Sequence, residues 1–83
     1  MTDSITDVAA LRASIDAVDA EILGLLLRRH EVSRQIQRAR AGAGDGPVSH
    51  ERELAIRDRY AEALGDDGRE VATAILVLCR GRH

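Results

Sequence analysis

The chain has no Trp, no Phe and no Lys, and only one Tyr, one Cys and one Pro among its 83 residues. Each shortage excludes something. With Tyr60 as the sole aromatic there is no platform for stacking bases, and a formal net charge of −2 offers no general basic surface to a phosphate backbone, so no nucleic acid is expected as a partner. A single Cys excludes an intrachain disulfide and a cysteine-based metal framework, and the apolar helix face around Cys79 marks it for the core. His30, His50 and His83 share no ligand spacing, so no metal site is expected. No Ser-His-acid set and no glycine-rich phosphate loop followed by Lys is present. The longest apolar run, Ile22 to Leu27, is interrupted by Gly24 and falls well short of the ~20 residues of a membrane span. The opening MTDSITDV has neither the basic nor the apolar region of a signal peptide. The expectation is a cytoplasmic protein forming one domain over residues 1–83.

What is there is a long amphipathic pattern. Val8, Leu11, Ile15, Val18, Ile22, Leu25, Val32, Ile36 and Ala39 recur at steps of three and four, with one larger gap, the signature of one helix from about Val8 to Arg40. No Pro interrupts residues 8 to 41, and Gly24 is the only interior breaker. Ser4, Thr6 or Asp7 are candidate caps for its start. Such a helix is about 50 Å long at about 1.5 Å per residue, more than the rest of so short a chain can cover. A second copy is the expected cover. The stretch Ala41 to Pro47, with Gly42, Gly44 and Gly46, reads as a flexible loop rather than helix. Ser49 reads as the cap of a second helix with Glu51 and Glu53 in its first turn, ending at Gly65-Asp66-Asp67-Gly68. Asp67 and Glu70 resemble a capping box for a third helix that ends near Gly81. No repeat and no strand period appears, so the fold class is all-α: one long helix and two short ones.

One slot of the long stripe is occupied by Arg29. A buried unpaired charge costs several kcal/mol, so Arg29 needs either an acid within the core or an anion in a wet cavity. All twelve basic residues are Arg, whose planar fork grips carboxylates through two bonds. Arg40 lies 11 residues beyond Arg29, about 16 Å along the same face. Arg52 opens the second helix and Arg80 closes the third. Arg12 lies about 25 Å from Arg29, too far to share a small ligand within one chain. In an antiparallel pair of long helices, Arg12 of one copy comes opposite the 29–40 segment of the other. The two-fold axis then falls near Gly24, where two backbones can approach closely. Arg28, Arg34, Arg38, Arg57 and Arg59 read as solvated surface or helix-surface ion pairs.

These residues resemble a known family. Leu11-Arg12, Ile15-Asp16, Asp19, Ile22-Leu23, Leu25-Leu26 and Arg28-Arg29, followed by Arg40, His50-Glu51-Arg52-Glu53 and Arg80, are similar to the all-helical chorismate mutases. The short length and the ending Cys79-Arg80-Gly81-Arg82 resemble the small actinobacterial branch. The resemblance implies an intertwined homodimer that rearranges chorismate to prephenate, in the shikimate pathway to Phe and Tyr, without a cofactor or metal. It implies that Arg12 of the partner copy and Arg29 hold substrate carboxylates, and that Arg40 touches a carboxylate and the ether oxygen. Arg52 would support a carboxylate, Glu53 would accept from the ring hydroxyl, and Arg80 would stand near the ether oxygen. Ser49, at the hydroxyl-binding position, replaces the Asp of well-studied members, and Leu76 replaces a Ser, which implies modest activity for the isolated chain. The branch further implies an activating complex with 3-deoxy-arabino-heptulosonate 7-phosphate synthase (DAHP synthase). The tail after Arg80 has no apolar residue to tie it down, so Arg82 and His83 are expected among the contacts of such a complex. Two other functions fit the same residues: an isochorismate-pyruvate lyase, and a non-catalytic helical interaction module.

Overall fold

A computed structural model describes residues 7–43 and 49–81. Three helices follow in order: α1 (Val8–Ala43), α2 (His50–Leu64) and α3 (Asp67–Arg80). The all-α expectation holds, and among the described residues there is no strand. No described helix is long and apolar enough to cross a membrane.

Local chemistry sets the helix ends. Asp7 caps α1, its Oδ1 accepting from the backbone N–H groups of Ala9 at 3.0 Å and Ala10 at 3.3 Å. Ser49 caps α2 from extended backbone, its hydroxyl oxygen accepting from the Arg52 N–H at 3.2 Å. Gly65 and Gly81, both at positive φ, end α2 and α3 and return their N–H groups to Ala61 and Val77.

Two expectations are corrected. α1 continues through Ala41, Gly42 and Ala43 rather than stopping at Arg40, because Ala strongly favours helix and a single Gly does not break an established one. The capping box at Asp67 does not form: the cap position is Asp66, in helical conformation and with no side-chain cap bond. Here the backbone supplies the bonds, Gly68 N–H to Gly65 O at 2.8 Å and Arg69 N–H to Asp66 O at 3.1 Å. Asp67 and Glu70 then act only as charges at the positive end of α3. The candidate caps Ser4 and Thr6, the loop residues Gly44, Gly46 and Pro47, and the tail residues Arg82 and His83 lie outside the described residues.

α3 packs against both α1 and α2, which make no close contact with each other. Gly68 permits the approach to α2, since a Cβ there would collide with the Tyr60 carbonyl. The buried side of α3 is Gly68, Ala72, Leu76 and Cys79, one stripe at helical spacing and the main part of a thin core. α1 projects far beyond this packing, giving extents of 63 × 25 × 17 Å. Along its free half Leu11, Ile15, Val18, Ile22 and Leu25 are all exposed. The other end turns a different face inward: Leu26, Arg29, His30, Ser33, Gln37 and Arg40 are half-buried.

Candidate active site

α1 and α2 each pack on α3 without close contact with each other, and the three helices line an open cavity of about 230 Å³. α1 lines it with Arg29, Val32, Ser33, Ile36, Gln37 and Arg40; α2 and its cap with Ser49, Arg52, Glu53 and Ile56; α3 with Leu76, Cys79 and Arg80. The structure therefore gathers Arg29, Arg40, Ser49, Arg52, Glu53 and Arg80 around one space. It does not bring Arg12 there; Arg12 is exposed near the far end of α1.

Glu53 is the anionic member and is buried, at 9% exposure. Arg80 grips it with a two-bond fork: Nε donates to Oε2 at 2.8 Å and Nη2 to Oε1 at 3.2 Å. These bonds hold the Glu53 carboxyl below the usual carboxylate range; burial opposes them, and the charges of Arg80, Arg57 and His50 add to the lowering. The same contact raises Arg80, so both groups are ionised at neutral pH. Arg29, Arg40 and Arg52 differ: among the described residues none has a carboxylate within ion-pair distance.

Arg40 occupies the last turn of α1 and Arg80 that of α3, where the helix dipole favours a cation. Arg52 sits in the first turn of α2, where the dipole disfavours one. The Ser49 hydroxyl oxygen accepts from the Arg52 N–H, and among the described residues its O–H donates to no partner.

Ser33 and Gln37 were not singled out from sequence. They follow Arg29 at one and two helical turns on the half-buried side, and the Gln37 amide donates to the Ser33 hydroxyl at 3.4 Å. The spacing 29-33-37-40 was the available signal. It was obscured by the stronger apolar stripe one position away.

Fold and cavity together define a helical protein that presents a compact, strongly cationic pocket with one fixed carboxylate, suited to a small polyanion with a hydroxyl group. The match to known proteins makes that class specific. The model of the type II chorismate mutase family matches residues 11–77, and the chain belongs to that family. It is 45% identical over 78 residues to the intracellular chorismate mutase of Mycobacterium tuberculosis (strain H37Rv), covering 94% of this chain and 73% of that protein. It is 40% identical over 80 residues to the intracellular chorismate mutase of Mycolicibacterium smegmatis, covering 96% and 77%. Among solved structures it is similar to the non-covalent complex of DAHP synthase and chorismate mutase from Corynebacterium glutamicum with bound transition state analog. That match has a TM-score of 0.89 and 31% identity, with 96% of each chain covered. The activity is accordingly that of an isomerase, rearranging chorismate to prephenate.

Proposed function

We propose that the cavity between α1 and α2 is where chorismate is rearranged, and that residues 1–83 act as one catalytic domain. The observation that carries this reading is the set of Arg29, Arg40 and Arg52 around one cavity without carboxylate partners among the described residues. Three cations around one cavity leave it with positive charge that a dicarboxylate would balance. The reaction breaks one C–O bond and forms one C–C bond within a single molecule. The site's tasks are to hold the folded conformer and to stabilise negative charge growing on the ether oxygen. In this reading Arg29 and Arg52 hold carboxylates, and Arg40 spans a carboxylate and the ether oxygen. Ser49 and Glu53 take the ring hydroxyl, and Arg80 stands by the ether oxygen. Incubation with chorismate should give prephenate. Turnover of isochorismate to pyruvate without prephenate formation would assign the site to the lyase reaction instead.

The site is completed by a second copy. An exposed row of Leu11, Ile15, Val18, Ile22 and Leu25 is a contiguous apolar surface of the kind that marks an interface. Gly24 lies within that half with no atom of this chain near the place of its missing Cβ, which leaves room for a crossing helix. An antiparallel homodimer covers the row and brings Arg12 of each copy to the other's cavity. Mixing inactive Arg12→Ala and Arg29→Ala chains should restore part of the activity, because mixed dimers contain one intact site. No recovery after verified subunit exchange would refute the shared site.

The likeness to a chorismate mutase solved in complex with DAHP synthase supports the same partner for this chain; in this reading that partner activates it. The naming of the mycobacterial relatives as intracellular supports a cytoplasmic location.

A further inference from the structure

The mutual geometry of Glu53 and Arg80 carries one step more, resting on the reading of the cavity as the chorismate site. We infer that Arg80, besides lining the cavity, is the positioning residue for Glu53, locking its carboxylate in one orientation as a pure hydrogen-bond acceptor for the substrate hydroxyl.

A carboxylate offers about four acceptor positions on two oxygens, and Arg80 takes one on each. The remaining positions stay open, so a substrate hydroxyl is accepted without breaking the pair. The donor side balances in the same way. Of the roughly five guanidinium N–H groups, two go to Glu53, and Nη1 makes a long bond of 3.4 Å to the Gly81 carbonyl. At least one N–H on each terminal nitrogen remains for the cavity. Glu53 comes from the first turn of α2 and Arg80 from the last turn of α3, so the fork also ties together two of the three helices that line the site.

The other groups around Glu53 do not supply this hold. From α1, Arg29 and Arg40 line the same cavity but make no ion pair with it. On its own helix, His50 and Arg57 act on it only through charge, and Arg52 lines the cavity without bonding it. From α3, Arg80 makes the hydrogen bonds and neighbouring Cys79 is a buried wall. Without Arg80, a buried carboxyl is free to rotate and is easier to protonate. A protonated Glu53 presents a donor where the substrate hydroxyl requires an acceptor.

The test combines a titration with kinetics on the full-length protein. The Glu53 side-chain carboxyl carbon is followed by NMR against pH without substrate, in wild type, Arg80→Gln and Arg80→Lys, with Glu53→Gln assigning the signal. In wild type Glu53 should titrate below the other glutamates. In Arg80→Gln it should move up toward the ordinary range, and the acid limb of kcat/KM should move up with it. Arg80→Lys keeps a charge but loses the fork. It should hold the titration nearer to wild type while kcat/KM still falls, by about 100-fold, the scale of a misplaced reacting group. The Arg80→Gln/Glu53→Gln double variant should lose no more than the worse single variant, within about twofold. A Glu53 titration unmoved by Arg80→Gln, or losses that multiply in the double variant, would overturn the inference. If wild type fails to turn over chorismate, the cavity assignment falls, while the titration still decides whether Arg80 governs Glu53.

Discussion

The two halves of α1 invert the usual rule. Its N-terminal half exposes Leu11, Ile15, Val18, Ile22 and Leu25, whereas its C-terminal half shelters Arg29, Ser33, Gln37 and Arg40 beside α3. A helix serving only its own chain's core would show the reverse. The contrast shows that α1 answers to two demands. One half carries apolar surface that the described chain leaves uncovered, and the other carries charge that it leaves without a carboxylate partner. In the reading proposed above, assembly and ligand binding both fall to this one helix.

That contrast can be broken most severely from the apolar side. Ile22→Asp places a carboxylate in the middle of the proposed two-fold contact, where desolvation costs several kcal/mol per ion. The expected outcome in sedimentation is loss of the dimer, accompanied by loss of nearly all activity. A folded, active monomer would show that the outer half of α1 needs no cover. On the polar side the largest effect belongs to Arg40. Arg40→Ala should lower kcat by about 100- to 1,000-fold, or roughly 2.7–4 kcal/mol, with a much smaller change in KM, since its charge matters most in the transition state. Steady-state kinetics on chorismate would check this, and an effect confined to KM would move Arg40 to ground-state carboxylate binding.

A smaller effect sharpens the inner face itself. Gln37→Ala removes a neutral cavity-lining amide whose own hydrogen bond, to Ser33, is long at 3.4 Å. A neutral hydrogen bond contributes about 0.5–1.5 kcal/mol, so kcat/KM should fall by up to about tenfold. No change would place Gln37 on the wall without contact to substrate.

Ion pairs repeat the lesson on a smaller scale. Arg69–Asp58 also joins α3 to α2 and is short, at 2.6 Å, yet both side chains are about half exposed. Such a pair contributes little, about 0–1 kcal/mol. Arg80–Glu53 is sheltered, made of two bonds and set against the cavity. Shelter and two-bond geometry, rather than length, set the Arg80–Glu53 pair apart.

What could be read before any fold was known followed from local rules. The stripe from Val8 to Ala39 set the long helix. Ser49 was legible as a cap, and Asp7 as one of three candidates with Ser4 and Thr6, because a side-chain oxygen two or three residues before a free N–H needs no tertiary partner. Arg29 and Arg40 were legible as one face because 11 residues is nearly three whole turns. The same local logic failed at Asp67, where the tight turn from Gly65 supplied the bonds from the backbone. It also places the end of α1 three residues early, because the glycines that follow are breakers only where no established helix runs into them, and Ala41 and Ala43 extend this one. The rest depended on distance along the chain. Glu53 and Arg80 are 27 residues apart, and only the packing of α2 on α3 through Ala72, Leu76 and Cys79 brings their charges together. The sequence by itself determined three helices, the Ser49 cap of the second and a face of arginines, because hydrogen-bond geometry and helical period act between near neighbours. Only the tertiary structure decided which acid those arginines would meet and which would be left for a ligand, because Coulomb attraction and burial depend on separation in space.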